Sequence, residues 1–163
     1  MNVTSSAPGR TSARFDSLEQ EVFLNLWRTY DRLRALEDEL FSRYDLTPQQ
    51  YNVLRLLKAE QPQALPTLVL ANRLVSRAPD ITRMLDKLEQ RALIVRDRPH
   101  DNRRMVQVSI TSAGLNLVAE IAGPLRECHE RQLGHLSSSD LKRLVSLLRS
   151  ARQPHEAADS TWQ

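Results

Sequence analysis

Ile94-Val95-Arg96-Asp97-Arg98-Pro99-His100-Asp101-Asn102-Arg103-Arg104-Met105-Val106-Gln107-Val108-Ser109-Ile110 is the stretch in which the apolar residues stop following a helical period. From Met105 to Ile110 apolar and polar residues alternate, the pattern of a strand with one buried face. Ile94 and Val95 begin a second short strand. Between the two lies Asp97 to Arg104, too polar for a core and rich in turn formers, which fits a hairpin tip carrying three arginines.

Helical signals stand on both sides of this hairpin. Upstream, Leu18, Val22, Leu26, Leu33, Leu36 and Leu40 recur at spacings of four, four, seven, three and four, which predicts a long helix from about Asp16 to Arg43. Phe23, Trp27, Tyr30 and Phe41 widen that stripe beyond the needs of one packed face. Leu46-Thr47-Pro48-Gln49-Gln50-Tyr51 reads as a helix start. Thr47 is the cap, Pro48 the first helical residue and Gln50 the partner of a capping box, with Leu46 and Tyr51 spaced as a staple. Val53, Leu54 and Leu57 are its expected core, and Gln61-Pro62 ends it.

Two short helices follow in tandem. The first is expected from Pro66 to Leu74, with Leu68, Ala71 and Leu74 inward. Ser76 is the expected cap of the second, Arg77 to about Arg91, with Pro79 in its first turn. Ile81, Leu85 and Leu88 are its core side, and Arg83, Asp86 and Lys87 point away from them. After the hairpin, Thr111 or Ser112 starts a helix with Leu115, Val118, Ile121, Leu125 and Cys128 on one face. Ser137 starts the last, with Leu141, Leu144, Leu147 and Leu148.

Composition bounds the class. A chain of 163 residues with 40% hydrophobic and 26% charged residues has room for one folded domain of ordinary size. With only four glycines and many leucine-rich runs, helix should exceed strand. No apolar run approaches the roughly 20 residues that cross a bilayer, and residues 1–14 carry no apolar secretion signal. The single cysteine cannot form an intrachain disulfide, so the expected location is the cytoplasm. The net charge of +3 is mild, but its distribution is uneven. Residues 15–45 hold four arginines against eight acids, whereas residues 76–105 hold eight basic residues against five acids. An acidic end and a basic middle suggest two surfaces with different tasks, although both could be ordinary solvated faces.

Two short helices followed by a basic hairpin make a winged helix-turn-helix. Such a unit suits DNA for physical reasons. A helix fits the major groove, where each base pair shows a distinct donor and acceptor pattern. Arginines at a hairpin tip can follow the phosphates or enter the narrow minor groove.

Three segments together resemble the MarR family of transcriptional regulators. Leu74 to Glu89 is similar to that family's recognition helix and Leu93-Ile94-Val95-Arg96 to the strand after it. Asp101-Asn102-Arg103-Arg104, ahead of Val106 to Ile110 and Thr111-Ser112-Ala113-Gly114, is similar to its wing and next helix start. The resemblance covers roughly residues 16–152. One departure is Ala92, where the family usually has glycine just after the recognition helix. If that position needs positive φ, alanine there costs about 1 kcal/mol.

The resemblance implies a mainly α fold with a small β-hairpin wing and long flanking dimerisation helices at about 16–43 and 112–152. The DNA-binding part would be about 47–111, within a domain of 15–152, between a flexible arm (1–14) and a polar tail (153–163). It implies a sequence-specific DNA-binding regulator, a homodimer on a pseudo-palindromic double-stranded operator, and a repressor released by a small molecule. Arg77, Asp80, Thr82 and Arg83 would face bases or phosphates, with Lys87 on the same outward face. Arg96 would contact backbone, and Asp101, Arg103 and Arg104 would form the wing tip, Asp101 orienting Arg103. The alternative is a ligand-binding or protein-interaction dimer without operator binding.

The effector site is less sharply marked. Trp27, Tyr30 and Tyr51 can line a pocket for a small aromatic ligand, with Arg126 or His129 as polar anchor, but aromatics at helical spacing also serve as core. Cys128 lies on a leucine-rich face, where a thiol is expected to be inert. The four histidines show no metal-ligand spacing, and no nucleophile motif, phosphate loop or catalytic carboxylate pair stands out. No cofactor and no enzymatic activity are expected.

Overall fold

A computed structural model of the chain describes residues 15–75, 80–99 and 105–156. Residues up to Leu36 form one unit and those from Glu37 onward a second. The first unit carries most of helix α1 (Leu18–Ser42). Ser17 starts this helix, its hydroxyl accepting the Gln20 N–H at 3.1 Å. Leu18, Val22 and Trp27 all stand exposed, so the first half of the expected stripe is open in the single chain, whereas Leu40 and Phe41 near its end are buried.

In the second unit α1 ends and α2 (Pro48–Ala59) begins after a turn at residues 43–45, Leu46 and the Thr47 cap. Thr47 and Gln50 form the reciprocal box read from the sequence. The Gln50 N–H donates to the Thr47 hydroxyl (3.2 Å), and the Thr47 N–H donates to the Gln50 side-chain oxygen (2.8 Å). This pairing lets Gln50 be buried at little cost, because its carbonyl has a donor. Leu46 and Tyr51 are both buried, and the Tyr51 ring packs on Phe41 with centroids 4.9 Å apart.

Strand β1 (Leu65–Pro66) leads into α3 (Thr67–Arg73), and α4 (Ile81–Gln90) follows. Strands β2 (Ile94–Asp97) and β3 (Gln107–Ile110) pair antiparallel, Ile94 opposite Ile110 and Asp97 opposite Gln107. The sheet has three strands in the order β1-β3-β2, because Leu65 and Pro66 pair with Val108 and Gln107. The third strand was not foreseen. Two residues are too few for an alternating pattern, and the proline reads as a helix start although it also suits a sheet edge, where no N–H is needed.

Helix α5 (Ser112–Leu133) runs unbroken through Pro124, and α6 (Ser138–Arg152) follows it. Beyond α6, Gln153–His155 forms one 3-10 turn, and Arg152 pairs with Glu156 at 2.6 Å.

One core joins the end of α1, helices α2 to α5 and the sheet. Phe41, Val53, Leu54, Leu57, Leu70, Leu85, Leu88, Ile94, Val108 and Ile121 are all essentially inaccessible to solvent and belong to a single cluster. Each such side chain contributes about 1.5–3 kcal/mol through burial, so the cluster fixes the relation of α2, α3, α4 and the sheet. Helix α3 is rotated from its expected phase: Leu70 is its buried residue, whereas Leu68, expected inward, is 73% exposed. Starting at Thr67 after a strand, the helix has only seven residues, too few to establish its phase by period. Among the described residues α6 buries none of its own side chains, and Val145, Leu147 and Leu148 lie open.

Candidate nucleic-acid interface

The outward face of α4 follows from how the helix is held. Asp80 is non-helical (φ −138°, ψ 67°), and its carboxylate accepts the Arg83 N–H at 3.0 Å. The helix therefore starts at Ile81, later than the expected Arg77; the expected cap Ser76 and Arg77 lie outside the described residues. Asp80, which the resemblance set facing the groove, caps the helix, a task its short acceptor side chain performs well. Leu85 and Leu88 anchor the opposite side in the core. Thr82, Arg83 and Lys87 are exposed together on the face left over. The macrodipole adds positive potential at the Asp80 end.

The helix ends in a Schellman turn. The Leu93 N–H donates to the Leu88 carbonyl (3.0 Å) and the Ala92 N–H to the Glu89 carbonyl (2.8 Å), with Ala92 at φ 54°. The departure from glycine therefore falls on a residue that does need the left-handed region. Thr111, the cap of α5, completes the corner. Its hydroxyl donates to the Ala92 carbonyl (2.7 Å) and accepts the Gly114 N–H (3.1 Å), while its own N–H donates to the Leu93 carbonyl (3.1 Å). A Cβ on Gly114 would lie 2.3 Å from the Leu93 carbonyl oxygen. The Thr-x-x-Gly pattern is thus the joint that seats α5 on the end of α4.

Strand β2 is tied to α4 by Arg96. Its guanidinium donates to the Asp86 carboxylate at 2.6 Å and to Glu89 at 2.6 and 3.0 Å, and its N–H to Glu89 at 3.1 Å. These hydrogen bonds from Arg96 hold the Glu89 carboxyl below its ordinary range, and the bonds to Glu89 raise the already high pKa of Arg96. The Arg96 side chain is 23% exposed, and its geometry fixes the strand leading to the hairpin tip against the helix. The sequence marked Arg96 and Asp86 separately. Glu89 was missed as a partner because it is close to Arg96 only across a turn of helix, the Ala92 corner and a strand. The tip residues Asp101, Arg103 and Arg104 lie outside the described residues.

Behind the two helices, Glu60 at the end of α2 pairs with Arg73 at the end of α3. Of the residues considered for ligand binding, Trp27 and Tyr30 are exposed rings in the first unit; Phe23 packs on Trp27 (6.3 Å) and Arg34 lies over Tyr30 (6.0 Å). In the second unit Tyr51 is buried, which pushes its phenol upward, and Arg126 is exposed on α5. His129 meets Glu37 at 3.4 Å. Cys128 is buried, and that burial, followed by the charge of Glu37, pushes its thiol pKa up.

A capped helix with a polar outward face, sharing one core with a second short helix and latched to a three-stranded wing sheet, defines the winged helix-turn-helix class. Comparison with known proteins narrows this. The family model described as MarR family matches residues 46–106. A MarR transcription factor from Planctomyces limnophilus, known from its crystal structure, is 52% identical, with a TM-score of 0.68 over 83% of this chain and 98% of that one. The chain belongs to the MarR family of transcriptional regulators. The HTH-type transcriptional repressor MdtR of Bacillus subtilis is 25% identical over 86% of this chain and 90% of its own length. The fold is also that of Bordetella bronchiseptica BpsR, whose DNA binding is regulated by 6-hydroxynicotinic acid (24% identity, TM-score 0.73, 80% of this chain and 98% of that one). Among the described residues no helix is long and apolar enough to cross a membrane.

Proposed function

We propose that this regulator is a homodimeric repressor that binds a pseudo-palindromic double-stranded operator through α4 and is released by a small aromatic ligand. The observation that carries the reading is α4 itself, capped at Asp80, anchored by Leu85 and Leu88, and presenting Thr82, Arg83 and Lys87 to solvent. Arg83 and Lys87 supply donors to bases or phosphates, and Arg77, Arg103 and Arg104 are proposed to add further positive charge toward DNA. Arg96 serves by holding the wing strand to the helix. The exposed apolar residues of α1 and of α6 support assembly, since a lone chain rarely leaves so much apolar surface uncovered. Repression is supported by MdtR, named as a repressor, and ligand release by BpsR, whose DNA binding responds to 6-hydroxynicotinic acid. Trp27 and Tyr30, as exposed rings, are the proposed ligand contacts.

Selection of duplexes from a random-sequence pool by the purified protein tests this. A two-fold symmetric sequence, bound more weakly as salt rises, is the expected outcome. Enrichment of no sequence would favour a ligand-binding or protein-interaction dimer without operator binding.

A further inference from the structure

Two helices of the second unit end in the same way. At the end of α1, Asp45 stands at φ 51°, the Leu46 N–H donates to the Phe41 carbonyl (3.1 Å), and the Asp45 N–H donates to the Ser42 carbonyl (3.2 Å). This is the Schellman turn seen at Ala92, again without glycine. Such a turn satisfies two of the final carbonyls and leaves those of the cap and the left-handed residue open. For α1 these are Tyr44 and Asp45. Both accept hydrogen bonds from one guanidinium 46 residues further on, Arg91: its Nη1 donates to the Asp45 carbonyl and its Nη2 to the Tyr44 carbonyl, the latter at 3.0 Å.

Arg91 is the cap residue of α4. The last turn of α4 is therefore bonded, through its own side chain, to the last turn of α1. The fork geometry matters, since two parallel donors fix orientation where one point charge would not. A cation at a helix C-terminus is also favoured by the macrodipole. Resting on the reading of α4 as the DNA-reading helix, we propose that Arg91 is a positioning residue. It clamps the open carbonyls of α1, sets the angle at which α4 meets the major groove, and does not itself touch DNA.

Geometry explains why one clamp matters. Ten residues of helix span about 15 Å, so a tilt of about 10° at one end displaces the other by roughly 2.6 Å. Hydrogen bonds to base edges tolerate only a few tenths of an ångström. The Arg96 latch ties α4 to the wing strand and the clamp ties it to α1. Loss of Arg91 leaves one of these two tethers.

The test separates positioning from phosphate contact. Arg91→Ala and Arg91→Lys are compared with wild type by anisotropy, on a duplex selected by the wild-type protein and on an unselected one, across a salt series. Arg91→Ala should bind the selected duplex about three- to tenfold more weakly, with the unselected duplex and the salt slope unchanged. Arg91→Lys should recover only part of the loss. A slope lower by about one per protomer, with both duplexes affected, overturns the proposal in favour of a phosphate contact. Wild-type affinity in Arg91→Ala also overturns it. Amide hydrogen exchange without DNA judges the clamp separately. Faster exchange in Arg91→Ala at Asp45, Leu46, Ala92 and Leu93 is expected, and no change there overturns it. If wild type selects no sequence, the DNA reading fails on its own while exchange still decides the clamp.

Discussion

Ala92→Gly should make this protein more stable, against the usual direction for glycine. Ala92 has φ 54°, and four hydrogen bonds hold it there. Its N–H goes to Glu89 and its carbonyl accepts from Thr111, while the Leu93 N–H and carbonyl are bonded to Leu88 and Thr111. The backbone therefore cannot relax to negative φ without losing the corner between α4 and α5. A Cβ in the left-handed region costs about 1–2 kcal/mol. Glycine in turn adds unfolded-chain freedom worth about 0.4–1 kcal/mol. Ala92 is exposed, so the lost methyl removes little burial. The net gain should be about 0.5–1 kcal/mol, and the thermal midpoint should rise by about 1–4 °C. Urea unfolding by circular dichroism, at fixed protein concentration because the proposed dimer couples stability to it, measures the change. Asp45→Gly is the internal comparison and should gain less, because Asp tolerates the left-handed region better than Ala. A lower urea midpoint for Ala92→Gly, at unchanged slope, would refute the argument that this residue is held under strain.

Gly114→Ala should cost about 1–3 kcal/mol or more in the same assay, since the new Cβ would lie 2.3 Å from the Leu93 oxygen and 2.7 Å from Ile110 Cγ1. Because the Glu89 carboxyl is lowered by Arg96, the pair contributes stability above the unfolded glutamate value of about 4.3 and loses it as pH falls through the lower folded value. Glu89→Gln should accordingly flatten the dependence of the urea midpoint as pH falls below about 5, and an unaltered acid limb would count against the latch. Light scattering should give a dimer of about 37 kDa from the 18.7 kDa chain, and Leu144→Glu with Leu148→Glu should yield monomer. Calorimetry with 6-hydroxynicotinic acid and related aromatic acids, repeated on Trp27→Ala, tests the ligand proposal; binding indifferent to Trp27 would remove that residue from the site.

The elements legible in the sequence were those with long or redundant signals. Six apolar positions defined α1 to within two residues at its start and one at its end. Thr47, Pro48 and Gln50 marked the start of α2 through three independent cues. What escaped was short or depended on contact across the chain. Leu65 and Pro66 form a strand only because β3 lies beside them, and Leu68 faces solvent because α3 starts where β1 stops. In the candidate interface, Arg83 and Lys87 were readable from the helical wheel as the face opposite Leu85 and Leu88. The partners of Arg91 and Arg96 were not, since an arginine's spacing says nothing of which carbonyl or carboxylate lies within its reach. Asp80 was ambiguous for a related reason: a carboxylate before a helix can cap it or face a ligand, and only the 3.0 Å bond to the Arg83 N–H identifies the cap.

The central claim is that α4 reads DNA sequence, and Arg83 tests it most directly. Anisotropy is recorded for wild type and Arg83→Ala on the selected and unselected duplexes at one salt concentration, with circular dichroism as the folding check. The account predicts a wild-type preference for the selected duplex that shrinks by about 5- to 150-fold in the variant, the equivalent of losing one base contact worth about 1–3 kcal/mol, while unselected binding changes little. A folded Arg83→Ala that keeps the full wild-type preference would contradict it.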